Sequence, residues 1–153
     1  MRTKQECDFV SDADVESERA VIAVIRSHFR NHVILGEEGQ DGAAETLDTN
    51  AESLWVIDPL DGTTNFAHDI PHFAVSIGYY QRGQPVCGVI YNPARGDWFH
   101  AVRGEGAFAN GKKATVADHA SLGDSLVGVG FYYDRGAMMD ATLTSIRDLF
   151  QQK

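Results

Sequence analysis

Apolar residues first recur at helical spacing. Val15, Ile22, Ile25 and Phe29 share one face of a helix. Ser11, with Asp14 three residues on, reads as a capping box that opens it. Val33-Ile34-Leu35 is a short, β-branched run that predicts a strand stopping at Gly36 and leading into Glu37-Glu38-Gly39. Gln40 to Glu52 is polar, acidic and Gly/Ala-rich, which predicts a surface loop. Leu54 to Ile57 predicts a buried strand that delivers Asp58 at its C-terminal end, and Gly62-Thr63-Thr64-Asn65 opens a short helix. Strands follow over Phe73–Tyr80, Pro85–Tyr91 and Asp97–Arg103, punctuated by Arg82-Gly83 and Asn92-Pro93. A short hairpin comes next, with Asn110-Gly111 at its tip. Ser125–Tyr132 predicts a last strand. From Asp134 a second amphipathic helix carries Leu143, Ile146, Leu149 and Phe150 on its apolar face. Short connections imply mostly antiparallel pairing.

Composition narrows the function classes. With 153 residues and a hydrophobic fraction of 43%, the chain can bury a core of ordinary domain size. A formal net charge of −9 argues against a nucleic-acid partner, because affinity for a phosphate backbone rests on basic patches. The same charge opposes an anionic substrate unless cations intervene. No apolar run approaches membrane-spanning length, and MRTKQECDF has no signal-peptide core, so no membrane partner is expected. Cys7 and Cys87 stand far apart and read as reduced thiols of a cytoplasmic protein.

The chemistry concentrates in WVIDPLDGTTNFAH, residues Trp55 to His68. Asp58 and Asp61 lie beside a turn, and the Glu37-Glu38 pair also follows a strand end. Carboxylates gathered on one sheet edge repel each other unless protons or cations hold them. All-oxygen ligands favour a hard cation such as Mg²⁺. Gly62 and Thr63 then offer backbone N–H groups to a phosphate at the start of a helix. DPLDG alone is an ordinary turn sequence, and its spacing does not match an EF-hand. D-x-x-D-G-T is also one residue longer than the D-x-D-x-T of phosphatases that use an aspartate nucleophile. His68 and His72 have an H-x₃-H spacing, but Ile70-Pro71 interrupts the helix a zinc pair would need. His28, His32, His100 and His119 form no constellation.

The whole string resembles the signature of the inositol monophosphatase family of Mg²⁺-dependent, lithium-sensitive phosphatases. Lys4 with DFVSDAD, LGEEG, PHFAVSIG, GVIYNPARGDWFHAVRGEGAFANGKK and SLVGVGFYYDR are similar to further segments of that family, in order. The resemblance implies an α/β layered sandwich, with a largely antiparallel sheet packed with helices. Residues 1–153 are read as its first, metal-binding half, truncated at both ends, because no WD-x-A-x-G segment is present.

By position, Glu37, Asp58 and the Leu60 carbonyl would bind one metal, and Asp58 with Asp61 a second. The complete site would hold about two or three Mg²⁺ ions. Glu37 and Thr63 would activate the attacking water, with Asp14 supporting Thr63. Asp61, Gly62 and Thr63 would contact the substrate. Glu38 and Lys4 match motif positions with weaker claims on the site. The implied reaction is hydrolysis of a small phosphorylated polyol, inositol monophosphate first. Fructose bisphosphate, histidinol phosphate and phosphoadenosine phosphate are the alternatives within the family. The full-length protein would be a homodimer, and the 153-residue chain alone would be inactive or impaired. A non-catalytic interaction module is the rival reading, since the last helix carries an apolar face with no partner in sequence.

Overall fold

The computed structural model describes residues 2–5, 8–10, 12–39, 51–118, 121–131 and 135–151. Ser11, Cys7, most of the predicted Gln40–Glu52 loop, His119, Tyr132 and Asp134 lie outside the described residues, as does the Lys4 side chain. The chain divides into two compact units, Met1–Ala114 and Thr115–Lys153.

The first unit opens with a two-stranded hairpin, β1 (Arg2–Gln5) and β2 (Asp8–Val10), which no sequence pattern announced. Helix α1 follows over Asp12–His28. Its acidic first turn and basic last turn both suit the helix dipole. The seven-stranded sheet runs in chain order: β3 (Val33–Gly36), β4 (Ser53–Asp61), β5 (Ala74–Gln81), β6 (Gln84–Asn92), β7 (Asp97–Val102), β8 (Gly106–Ala109) and β9 (Lys112–Ala114). β3 pairs parallel with β4, and every later pair is antiparallel. Two-residue turns at Arg82-Gly83 and Asn110-Gly111 place all four residues at positive φ, the geometry that matches the twist of a tight hairpin. The predicted largely antiparallel α/β architecture is therefore present.

The core sits where α1 crosses β3 and β4. Ile22 and Ile25 from the helix meet Ile34 and Ile57 from the strands, with Val21, Trp55 and Ile77 packed around them. Each such side chain contributes about 1.5–3 kcal/mol by leaving water. Phe29, just beyond the helix, is 44% exposed and stacks on His32 instead of entering this core. Trp55 donates its indole N–H to His32 Nδ1 at 3.0 Å, which ties the helix exit to β4.

Strand β4 is longer than its apolar run. It continues through Asp58 to Asp61, so Asp58 lies inside the strand and not at its end. Pairing with β5 explains how. Asp58 faces Ser76 and Asp61 faces Ala74, so β4 carries one residue more than its partner over this interval. This is a β-bulge, and Pro59 sits in it, where a missing N–H breaks no ladder bond.

In the second unit a single 3₁₀ turn spans Leu122–Asp124 and helix α3 spans Ala137–Gln151. The strand expected over Ser125–Tyr132 does not form: residues 125–131 carry no ladder pairing. An alternating apolar pattern favours extended backbone, but a strand needs a neighbour, and Leu126 is fully exposed. Ile146, Leu149 and Phe150 of α3 line an open apolar groove with Leu122, Leu126, Val127 and Val129. Among the described residues no helix is long and apolar enough to cross a membrane.

Candidate metal centre

The bulge in β4 determines where the carboxylates point. Residues three apart on a regular strand face opposite sides of the sheet. The extra residue between Asp58 and Asp61 cancels that inversion, so both carboxylates can serve one face. Their proximity has an electrostatic signature: the Asp58 carboxyl is raised above its ordinary value of 3.8. Burial is the largest cause, followed by the charge of Asp61, with a smaller push from Asp14. Hydrogen bonds from the Leu60 N–H and from Glu37 oppose the rise. The Leu60 N–H reaches Asp58 Oδ1 at 3.1 Å.

Glu37, in the turn after β3, is thus among the groups that reach the Asp58 carboxyl. The turn after β3 and the bulged part of β4 therefore lie side by side. A hard cation would relieve the repulsion between these carboxylates, and carboxylates plus a backbone carbonyl are the donor set that suits Mg²⁺. Among the described residues, no three metal-ligating side chains already converge on one point. Glu37 and Asp61 are both exposed.

Beside the carboxylates, Gly62 starts helix α2 (Thr63–Ala67) in a left-handed conformation, with φ 96°. A Cβ at this position would stand 2.9 Å from the His72 carbonyl oxygen and 3.2 Å from Phe73 Cα. Only glycine satisfies both demands. The Thr63 hydroxyl lies 3.0 Å from Asp14 Oδ1 and 3.1 Å from the Leu60 carbonyl. It has one proton for two acceptors. Donating to Asp14 frees the Leu60 carbonyl for a cation and leaves the Thr63 lone pairs open to a water. His68 caps the end of α2, and His72 lies beyond a turn closed by the Ile70 carbonyl, so these exposed histidines form no helical zinc pair.

Two contributors were missed in the sequence. Ser17 donates its hydroxyl proton to the Pro59 carbonyl at 2.9 Å. Glu18, wholly buried, accepts the Glu38 N–H at 2.8 Å. A signal existed: the stripe Asp14, Glu18, Ile22, Ile25 runs at helical spacing and is acidic at its start. Carboxylates on the buried face of a helix need partners, and here the partners belong to the site.

The chain is 41% identical over 147 residues to the Nus factor SuhB of Pseudomonas aeruginosa, covering 95% of this chain and 54% of that protein. It is 39% identical over 127 residues to an inositol-1-monophosphatase of Rhizobium meliloti, covering 83% of this chain and 46% of the relative. The crystal structure of the extragenic suppressor protein SuhB from Bartonella henselae superposes with a TM-score of 0.87 at 34% identity, covering 99% of this chain and 56% of that one. The chain thus spans about half the length of the curated relatives it matches. The profile of the inositol monophosphatase family matches residues 2–149, and the chain belongs to that family.

Proposed function

We propose that these residues form the metal-binding half of a phosphomonoesterase centre whose substrate is inositol monophosphate, hydrolysed to inositol and phosphate by direct attack of water. The observation that carries this reading is the β4 bulge that turns Asp58 and Asp61 to one face directly before the Gly62-Thr63 turn, where burial and the Asp61 charge raise the Asp58 carboxyl. Glu37, Asp58, Asp61 and the Leu60 carbonyl would hold Mg²⁺. When bound, Mg²⁺ supplies charge neutralisation at the phosphate and lowers the pKa of water. Thr63, with its own proton committed to Asp14, accepts a hydrogen bond from the attacking water, and Glu37 draws its proton. The new oxygen–phosphorus bond forms as the ester bond breaks, and the leaving alkoxide takes up a proton. The Gly62 and Thr63 N–H groups face the phosphate. The relative from Rhizobium meliloti, named an inositol-1-monophosphatase, supports the choice of substrate.

The test is phosphate release from inositol 1-phosphate, fructose 1,6-bisphosphate, histidinol phosphate and 3′-phosphoadenosine 5′-phosphate. It is run on the 153-residue chain and on the longest reading frame that contains it. The longer protein should favour inositol 1-phosphate, need Mg²⁺ and lose activity on Asp61→Asn, while the 153-residue chain stays near background. Release that ignores Mg²⁺, or a phosphate trapped covalently on Asp58, would sink the mechanism. A second reading, an interaction module, draws on the Pseudomonas aeruginosa relative being named a Nus factor and on the apolar groove beside α3. It gains ground if the longer protein folds stably yet hydrolyses none of the four esters.

A further inference from the structure

Three side chains on one face of α1 each hold a different piece of the candidate centre. Asp14 takes the Thr63 hydroxyl at 3.0 Å, Ser17 donates to the Pro59 carbonyl at 2.9 Å, and Glu18 accepts the Glu38 N–H at 2.8 Å. Positions i, i+3 and i+4 of a helix are neighbours on its surface. The partners, however, come from two separate turns: the glutamate turn after β3, and the β4 bulge that runs into α2. No ladder bond joins these turns beyond Gly36–Ile57, the last registered pair of β3 with β4. Helix α1 is therefore the common template against which both turns are measured.

The contact at Glu18 is the most constrained of the three. Glu18 is 0% exposed, and its carboxylate lies so close over Gly36 that a Cβ there would meet Oε2 at 2.5 Å and Cδ at 2.6 Å. The absence of a side chain at Gly36 is what lets the carboxylate reach the Glu38 amide. That amide belongs to the residue directly after Glu37. Fixing it fixes the exit of the turn and hence where the Glu37 carboxyl can stand relative to Asp58.

We propose that Glu18 is a positioning residue: by accepting the Glu38 N–H across Gly36, it holds the Glu37 turn at the distance from Asp58 that a divalent cation requires. Glu18 touches neither cation nor substrate. Its carboxylate oxygen acts here as the acceptor of the Glu38 N–H. The inference rests on the metal-centre reading above, and it concerns the acceptor alone.

The test uses Mn²⁺ as the probe and the loss of the free-ion paramagnetic resonance signal as the readout, on the whole chain at neutral pH. Four proteins are compared: wild type, Glu18→Gln, Glu18→Met and Gly36→Ala. Gln keeps a carbonyl acceptor of the same reach, whereas Met keeps the length and burial without an acceptor, so the fold has a filled site in either case. Groups that orient metal ligands from behind typically alter affinity by about 10-fold to 100-fold when removed. Glu18→Met and Gly36→Ala should each weaken Mn²⁺ binding by about 10-fold or more, and Glu18→Gln should stay within about threefold of wild type. Hydrogen exchange at the Glu38 amide should accelerate in Met and Ala and remain protected in Gln.

Met binding as tightly as wild type overturns the proposal while leaving the metal centre standing. Gln falling as far as Met also overturns it, because charge and not the acceptor would then be the operative property. Wild-type protein that fails to bind Mn²⁺ at all removes the metal-centre reading and this inference together.

Discussion

Replacing Gly62 by alanine should separate two costs that the structure places at one residue. The first is conformational. At φ 96° an L side chain sits in the left-handed region, worth roughly 1–2 kcal/mol. The second is steric. The new Cβ would lie 2.9 Å from the His72 carbonyl oxygen and 3.2 Å from Phe73 Cα, both backbone atoms. The carbonyl cannot simply retreat, since Asn65 Nδ2 donates to it at 2.7 Å. Forcing a methyl into such a contact costs about 1–3 kcal/mol. Together the loss is about 2–5 kcal/mol, a large share of the ~5–15 kcal/mol that holds an ordinary domain.

Gly111→Ala provides the control. Gly111 has φ 77° but nothing within 4 Å of its would-be Cβ, so only the conformational cost applies. Urea unfolding of both variants isolates the contact term. With m of about 1–3 kcal/mol/M, the Gly62→Ala midpoint should fall roughly 1 M below that of Gly111→Ala. Equal midpoints would rule out a steric cost at Gly62. They would mean that the 62–73 turn yields freely and that Gly62 is not required by close approach.

Other consequences can be checked with single variants. Asp58 has a raised folded-state value, so its contribution to stability is complete below its ordinary 3.8 and is lost as pH climbs through the raised value. Asp58→Asn should therefore stabilise the metal-free fold at neutral pH, seen as a higher melting temperature in chelator, while Mg²⁺ no longer shifts it. Asp61→Asn removes the second-largest cause of that rise, so the Asp58 titration, followed by carboxyl carbon NMR, should move down towards the usual range. Thr63→Val keeps the shape but leaves the buried Asp14 without its hydroxyl partner, at a cost of about 1–3 kcal/mol in urea unfolding. Ile34, 1% exposed between α1 and β4, should cost about 2–5 kcal/mol as alanine by the same measurement.

The features legible in the sequence were those written locally. Arg82-Gly83 and Asn110-Gly111 marked hairpins because both turn positions need positive φ, and the sheet order follows from such short connections. Glu37, Asp58, Asp61 and Thr63 stood out because carboxylates beside a Gly-Thr turn are costly without a task. The missed features depend on partners distant in sequence. The bulge at Pro59 is visible only from the register against β5. Ser125–Val129 has the composition of a strand and gains no ladder, since propensity cannot supply a neighbour. Ser17 and Glu18 carry no local signal of their role, because their partners, Pro59 and Glu38, lie far away in sequence.

Glu37, Asp58 and Asp61 are proposed to form an oxygen site for Mg²⁺. Calorimetric titration of Mg²⁺ into the 153-residue chain, repeated in buffers of different ionisation enthalpy, tests it most directly. Expected are saturable binding that tightens as pH rises, proton release on the acidic side, and loss of both on Asp58→Asn. Mg²⁺ binding that is absent in wild type, or equally strong in wild type and Asp58→Asn, would contradict it.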